Sequence, residues 1–365
     1  MKLSQPLTLP SGVEFKNRVL MAPMTNFLST DNGAVSLKEL DYYARRAGGV
    51  GAVITACANV NAQGKGFEGE IGADRDELIP GLRKLAASIH EQGSKAILQI
   101  YHGGRMCPPK LVPYNETVSA SPVPPEREGA VTPRELTNEE IEQTIMDFGD
   151  TARRAIEAGF DGVEIHGANT YLLQQFFSPH SNRREDQWGG YVRKRMNFPL
   201  AVIESVKKAV KTHSDSPFVI GYRLSPEERE EPGIALEDTL QLVDVLAEQN
   251  IDYLHVSLAD FHQSSMRDKD SSPPVIKRIT ECIGDRIPVM GVGSLYTAGE
   301  VEDALETVSL VSLGRELLIE PDWVQKVGSG ESVRTKMPKD PGEDVMIPEP
   351  MWTRIMNVPD WIPSE

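Results

Sequence analysis

The chain has 365 residues, of which 39% are hydrophobic and 25% are charged, and its formal net charge is −16. This composition is ordinary for a globular protein and excludes a disordered or fibrous chain. The acidic balance argues against nucleic acid or an anionic membrane as a partner. The N-terminus has no apolar core of a signal peptide, and no segment is apolar enough to span a bilayer. We therefore expect a cytoplasmic protein.

Eight short apolar segments alternate with eight amphipathic segments along the chain. Strands are predicted at Val19–Met24, Val50–Ala56, Ala96–Ile100, Gly162–His166, Val219–Leu224, Tyr253–Ser257, Val289–Val292 and Leu310–Leu313. Helices are predicted at Ser36–Ala47, Leu78–Gln92, Asn138–Ala158, Arg193–Lys211, Glu237–Asn250, Pro274–Ile283, Thr297–Glu306 and Pro321–Val327. Most of the strands are apolar on both faces, which is typical of buried parallel strands. The pattern predicts an α/β fold, a closed (β/α)8 TIM barrel.

The alternative is an open doubly wound sheet, which would normally carry a glycine-rich turn after its first strand, and this chain has none there. We predict one barrel over residues 1–330, with an N-terminal lead-in and a long loop after strand 3 at Cys107–Leu136, which holds seven prolines. Residues 331–365 are predicted to form a C-terminal extension. Because it carries Trp352 and Trp361, we expect it to pack on the barrel or on a neighbouring subunit.

Polar and glycine residues collect at the carboxyl ends of the predicted strands, where TIM barrels carry their active sites. Glycines follow strands 7 and 8, the two loops that commonly bind phosphate in this fold, and Arg315 adds a charged donor there. Each residue alone has a structural explanation, since glycines turn the chain and Arg223 could form a buried ion pair. Their common location favours a binding site.

The fourth strand ends in His166, with Asn169 and Tyr171 close behind it. Two side-chain donors and a phenol in this spacing suit the polarisation of a carbonyl and the donation of a proton. A metal-dependent hydrolase using His166, His102 and His180 is the remote alternative, but the sequence lacks an obvious carboxylate-bridged histidine set. The three cysteines lie far apart without a CxxC motif, so we expect neither an iron–sulfur cluster nor another metal site.

Three stretches together resemble the Old Yellow Enzyme family of FMN-dependent oxidoreductases. They are NRVLMAPMT at residues 17–25, HGANTYLLQQFFSP at residues 166–179 and LGRELL at residues 313–318. The resemblance runs over roughly residues 3–326. In one departure from the family's pattern, Thr170 stands where a glycine is usual.

The resemblance implies FMN as cofactor and assigns residues to it. Those expected along the flavin ring are Ala22, Pro23, Met24, Thr25, Ala56 and Gln99, with Arg223 beside the N1 and O2 atoms. Those expected at the phosphate are Gly293, Ser294, Gly314 and Arg315.

The resemblance also implies a ping-pong reaction in which NADH or NADPH gives a hydride to flavin N5, and the flavin passes it to the β-carbon of an enone, enal or nitroalkene. His166 and Asn169 would bind the carbonyl or nitro oxygen, Tyr171 would protonate the α-carbon, and Phe27 would contact this electrophilic alkene substrate. An NAD(P)H oxidase or a flavin store without a dedicated alkene substrate is the alternative. A homo-oligomer is compatible with the family.

Overall fold

Eight parallel strands form a closed barrel in the computed structural model, which describes residues 1–267, 273–339 and 342–365. The strands are β1 (Val19–Met21), β2 (Ala52–Ile54), β3 (Lys95–Tyr101), β4 (Gly162–Gly167), β5 (Val219–Leu224), β6 (Tyr253–Ser257), β7 (Val289–Val292) and β8 (Leu310–Leu313). Each strand pairs in parallel with the next, and β8 pairs with β1, which closes the barrel. The predicted TIM barrel is confirmed.

The barrel interior changes from apolar to polar along the strands. Apolar side chains from seven of the strands form one cluster near their amino ends: Leu20, Ala52, Ile54, Ile97, Val219, Tyr253, Met290 and Leu310. The lead-in forms an antiparallel hairpin of Leu7–Thr8 with Glu14–Phe15, and Phe15 joins this cluster and closes that end. Because side chains alternate along a strand, the next inward positions lie towards the carboxyl ends, where the site residues are expected.

Helices cover the outside of the barrel, as the predicted alternation requires. They are α1 (Leu37–Ala47), α2 (Ile79–His90), α3 (Asn138–Glu157), α4 (Asn197–His213), α5 (Leu236–Leu246), α6 (Val275–Ile283), α7 (Ala298–Leu305) and α8 (Trp323–Ser329). A capping box begins α3, with Thr137 and Glu140 bonded reciprocally. No helix in the described parts of the chain is both long and apolar enough to cross a bilayer.

Some boundaries differ from the prediction. The predicted helix at 193–211 is two helices, Val192–Arg195 and α4, separated at Met196. The predicted helix at 237–250 ends earlier, at Leu246. Within the long loop after β3, Val118–Ser119 pairs with Arg134–Glu135, so part of a segment without apolar periodicity is nevertheless regular. Local sequence could not indicate this pairing because its two strands have only two residues each.

The C-terminal residues lie against the barrel. Further short helices occur at Gly342–Val345 and Met351–Met356, and the side chains of Val345, Met351, Ile355 and Ile362 are buried. The division into a barrel at 1–330 and an extension at 331–365 stays a prediction, as does contact with a neighbouring subunit.

Arg46 joins α1 to the chain's C-terminal segment. Its fully buried guanidinium donates to the carbonyl oxygens of Tyr42, Leu317, Val345 and Met346, and lies 4.2 Å from the centroid of the Tyr42 ring. We expect Arg46→Ala to lower the free energy of unfolding by about 3 kcal/mol, because the buried carbonyls would lose their donor. Urea denaturation would measure this. The control Arg83→Ala, at an exposed arginine of α2, should change stability by less than about 0.5 kcal/mol, and equal effects would contradict the assignment.

Candidate active site

A cavity of about 540 Å³ opens at the carboxyl ends of the strands. Eleven of the predicted site residues line it: Ala22, Pro23, Met24, Thr25, Phe27, Asn169, Arg223, Gly293, Ser294, Gly314 and Arg315. They come from the ends of β1, β4, β5, β7 and β8, so the fold gathers positions that are up to 293 residues apart in sequence. The other four predicted residues, Ala56, Gln99, His166 and Tyr171, are not part of the cavity wall.

His166 and Tyr171 belong to a cluster of three rings beside the cavity. Their ring centroids are 5.1 Å apart at 77°, and the Tyr101 ring lies 4.8 Å from Tyr171 and 6.1 Å from His166. His166 is also the cross-strand partner of Arg223, which lines the cavity. The cluster therefore adjoins the cavity at the junction of β4 and β5.

The protonation state of His166 follows from its surroundings. Burial and the nearby Arg223 lower the pKa of His166 to about 3, so the ring is neutral at physiological pH. Its Nδ1 accepts a hydrogen bond from the Ala168 backbone N–H at 3.3 Å. A neutral ring that accepts at Nδ1 carries its proton on Nε2, so His166 is a donor there.

Burial raises the pKa of Tyr171 well above its ordinary value, and proximity to Cys57, Glu70 and Cys107 raises it further. The phenol therefore keeps its proton at physiological pH and can act as an acid.

Asn169 is held by two serine hydroxyls. The Oγ atoms of Ser257 and Ser225 lie 3.2 Å and 3.4 Å from its Oδ1, and its backbone N–H donates to Ser225 Oγ at 2.9 Å. Ser257 also accepts from Arg223 Nη2 at 3.0 Å. Since the serines occupy Oδ1, the Nδ2 group of Asn169 is the part of the amide left to donate to another molecule.

The backbone of this segment is strained. Asn169 has φ 56° and Thr170 has φ 65°, both in the left-handed region that a β-branched residue such as threonine rarely adopts. Hydrogen bonds hold it in place: the Thr170 N–H donates to Gln174 Oε1 at 2.9 Å, and Gln175 Nε2 donates to the Thr170 carbonyl at 2.6 Å. A glycine at this position would adopt the same φ without strain.

A buried polar layer lies below the cavity, inside the barrel. Glu164 accepts from Gln99 Nε2 at 2.7 Å and from Tyr253 Oη at 3.0 Å, and its Oε2 lies 2.9 Å from His255 Nδ1. Burial alone would raise the pKa of Glu164, but His255 and Arg223 outweigh it and hold the pKa at about 2. Gln99 is thus placed in this layer, where its amide supports Glu164.

The hydrogen-bond donors of Arg223 indicate whether the cavity can hold the pyrimidine edge of a flavin. The side chain is 6% exposed, and within the described parts of the chain its Nε and Nη1 atoms are buried without a hydrogen-bond partner. A buried cation with two unused donors is costly unless an acceptor meets it. An edge with acceptor atoms, such as N1 and O2 of FMN, suits this end of the cavity.

The other end of the cavity suits a phosphate. Arg315 Nη2 donates to Ser294 Oγ at 2.7 Å, and Nη1 donates to the Trp361 carbonyl at 3.1 Å. Gly293 has φ 145°, and a Cβ there would lie 2.6 Å from the backbone nitrogen of Phe261, so only glycine fits. A guanidinium beside a tight glycine turn is a common arrangement around phosphate groups. The residues present therefore fit FMN at both ends of the cavity.

Phe27 lies at the rim of the cavity, between two other segments. Its ring meets that of Phe67 edge to face at 5.5 Å, and the Arg354 guanidinium lies 4.3 Å from its centroid. Arg354, which also lines the cavity, forms an ion pair with Glu68 at 3.4 Å. A residue near the C-terminus therefore shares the rim with the predicted substrate contact.

The remaining predicted residues have structural surroundings. Ala56 is buried and its N–H donates to Tyr43 Oη at 2.7 Å. His102 is buried beside Gly64 and accepts at Nδ1 from the Gly104 N–H at 3.0 Å. Across residues 1–267, 273–339 and 342–365, no three histidine, cysteine, aspartate or glutamate side chains gather as metal ligands would.

Sequence reasoning missed Ser257 and Glu164. Ser257 ends β6, so its position at the carboxyl end of a barrel strand was the signal that could have found it. Glu164 lies two positions before His166 on β4, so the inward period of two was the signal that could have found it.

Comparisons with known proteins agree with this geometry. A model of the NADH:flavin oxidoreductase / NADH oxidase family matches residues 2–333. The probable NADH-dependent flavin oxidoreductase YqiG of Bacillus subtilis is 45% identical over 99% of this chain and 97% of its own. The NADH:fumarate oxidoreductase of Klebsiella pneumoniae is also 45% identical, over 96% of this chain but only 38% of its own.

Among solved structures, morphinone reductase superposes with a TM-score of 0.77 at 26% identity, covering 91% of this chain and 90% of that one. The resemblance in the three sequence stretches is thereby confirmed. The chain belongs to the NADH:flavin oxidoreductase / NADH oxidase family, the Old Yellow Enzyme family, with FMN as its cofactor and a nicotinamide nucleotide as its reductant.

Proposed function

We propose that this enzyme uses NADH or NADPH to reduce the C=C bond of an enone, enal or nitroalkene. The observation that supports this most is the grouping of two neutral donors, His166 and Asn169, with the protonated phenol of Tyr171 beside one cavity. Bound FMN would supply the hydride transfer from the nicotinamide to the β-carbon of the alkene. The protein's own side chains would bind, orient and protonate the substrate.

His166 and Asn169 would bind the substrate's carbonyl or nitro oxygen. Their Nε2–H and Nδ2–H groups are the donors that the surrounding hydrogen bonds leave available. Two donors on one oxygen withdraw electron density from the conjugated C=C bond and stabilise the negative charge that develops on that oxygen. Because His166 is neutral, it does so without giving up a proton.

Tyr171 would give its hydroxyl proton to the α-carbon. The proton becomes bonded to carbon, and the phenolate left behind takes a proton from water. Phe27 would pack against the apolar part of the alkene at the rim of the cavity. These roles make His166, Asn169 and Tyr171 the proposed catalytic residues.

Anaerobic spectroscopy tests the proposal. The FMN-loaded protein should lose its yellow colour on adding NADH or NADPH and regain it on adding cyclohexenone, with one cyclohexanone formed per nicotinamide oxidised. Bleaching by nicotinamide without recovery by any enone, enal or nitroalkene would contradict alkene reduction.

The second candidate function is that of an NAD(P)H oxidase, which passes electrons from the nicotinamide to an acceptor other than an alkene. The chain spans only 38% of the Klebsiella NADH:fumarate oxidoreductase, so the matching region accounts for less than half of that enzyme. The shared region could serve nicotinamide oxidation alone. In the same anaerobic experiment, recovery of colour with an electron-accepting dye but with no alkene would favour this candidate.

Substitution of Ser257 tests whether its hydrogen bond positions Asn169 for substrate binding, with a small expected effect. Ser257→Ala removes the hydroxyl that joins Asn169 Oδ1 to Arg223. We expect the KM for the alkene to rise by about five- to tenfold, since one hydrogen bond contributes about 1 kcal/mol, while FMN stays bound. Steady-state kinetics with cyclohexenone measure the change. Ser329→Ala, on the exposed end of α8, is the control and should leave KM unchanged.

A further inference from the structure

Tyr101 and Glu70 form a buried pair behind the proposed catalytic residues. Tyr101, at the end of β3, is fully buried, and its ring contacts both Tyr171 and His166. Its hydroxyl donates to Glu70 Oε2 at 2.7 Å. Glu70 is itself fully buried. The Tyr101 side chain alone links its carboxyl to the phenol of Tyr171.

The surrounding chain is shaped around this carboxyl. Glu70 Oε2 also accepts from the N–H groups of Gly66 at 2.8 Å and Phe67 at 3.0 Å. A Cβ at Gly66 would lie 2.4 Å from the Tyr101 hydroxyl, so a larger residue would displace the pair. Within the described parts of the chain, Oε1 is buried without a partner. Such an oxygen is costly as part of a carboxylate, which favours the neutral acid.

We propose that Glu70 is a positioning residue that holds Tyr171 through Tyr101, and that its neutral form is required for Tyr171 to give up its proton. This inference rests on the proposed alkene reduction. When the Tyr171 proton becomes bonded to the α-carbon, a phenolate remains in a buried site until water returns a proton to it. An ionised Glu70 behind Tyr101 would repel that phenolate, whereas a neutral acid would not.

The expected pH dependence follows from the groups around Glu70. Burial raises the pKa of Glu70 to about 8, although hydrogen bonds from Tyr101, Gly66 and Phe67 oppose the rise. The titratable and charged groups close enough to influence it, or be influenced by it, are Lys65, Cys57, Cys107, Tyr101 and Tyr171.

Burial also raises the pKa of Cys57, Cys107, Tyr101 and Tyr171, so these groups stay neutral as Glu70 ionises. The neutral form of Glu70 is therefore present below pH 8 and lost as pH rises through it.

Stopped-flow measurement of the two half-reactions between pH 6.5 and 9.5 tests this inference. In the unmodified enzyme, alkene reduction should fall about tenfold from pH 7 to pH 9, as expected when one group with a pKa near 8 must be protonated. Reduction by nicotinamide does not use Tyr171 and should lack this fall. Glu70→Gln stays neutral at every pH and keeps an oxygen for Tyr101, so the fall should disappear.

Tyr101→Phe gives a second, opposite result. It removes the hydroxyl whose hydrogen bond lowers the pKa of Glu70, so the fall should move to higher pH. This variant keeps the inference testable if Glu70→Gln does not fold. Glu39→Gln is the matched control, because Glu39 is another buried acid with a raised pKa but is bonded to Asn26 and Ser29. It should keep the fall of the unmodified enzyme.

Infrared spectroscopy detects the protonation state of Glu70 directly, independently of any activity measurement. The difference spectrum between the unmodified protein and Glu70→Gln should show a protonated carboxyl band at pH 7 that disappears near pH 8 to 9. A Glu70→Gln enzyme that keeps the fall, or a difference spectrum without the band at pH 7, would overturn the inference while alkene reduction stands. An unmodified enzyme that reduces no alkene would overturn the proposed function itself, and this inference with it.

Discussion

Replacing Tyr171 with phenylalanine is expected to slow alkene reduction by about 10²- to 10⁴-fold, the usual contribution of a positioned general acid. The phenylalanine ring keeps the packing against Tyr101 and His166 but has no proton to give. Reduction of the bound flavin by nicotinamide should be largely unchanged. Anaerobic stopped-flow measurement of the two half-reactions separates the effects.

Tyr114→Phe is the matched control, because it removes the same hydroxyl from a tyrosine whose side chain is 96% exposed. It should alter neither half-reaction. Equal losses in both half-reactions of Tyr171→Phe would show that the phenol supports the cofactor instead, and would contradict its role as proton donor.

Replacing Arg223 with methionine is expected to weaken FMN binding by about 10- to 100-fold and to lower the midpoint potential of the bound flavin. The loss of affinity corresponds to one or two charge-assisted hydrogen bonds. The potential should fall because a fixed cation beside N1 and O2 stabilises the negative charge that reduction adds. Fluorescence titration measures the affinity, and dye-coupled reduction measures the potential.

Arg315→Met provides the comparison, because Arg315 lies with Ser294 at the end of the cavity that suits phosphate. It should weaken FMN binding to a similar extent without changing the potential. If both variants shift the potential equally, or if Arg223→Met leaves it unaltered, then Arg223 does not face the pyrimidine edge of the flavin.

The barrel could be predicted because its signal is local and repeated. β5 to β8 have the predicted boundaries, since each is a compact apolar segment flanked by turns. The short helices Leu172–Phe177 and Arg315–Ile319 were not predicted, because they lie within loops where catalytic and glycine motifs dominate the sequence. The hydrophobic pattern within one strand also could not indicate a contact between two strands, such as the buried hydrogen bond between Glu164 and Gln99, which are 65 residues apart.

Predicted site residues line the cavity where the motif and the strand ends coincide. Asn169, Arg223 and Arg315 follow or end strands and do line the cavity. The pair of Glu70 and Tyr101 was not predicted, because nothing near Glu70 in sequence indicates that its loop folds back onto β3. The Arg354 contact with Phe27 joins residues that are 327 positions apart, and only the packing of the C-terminal segment creates it.

The left-handed backbone at Thr170 bears on how this enzyme could change under selection. A glycine at that position would relieve about 1 to 2 kcal/mol of strain, although the greater freedom of glycine in the unfolded chain would offset part of this gain in stability. A glycine would also widen the conformational range of the segment between Asn169 and Tyr171. Selection for heat resistance and selection for turnover would then favour different residues at this one position.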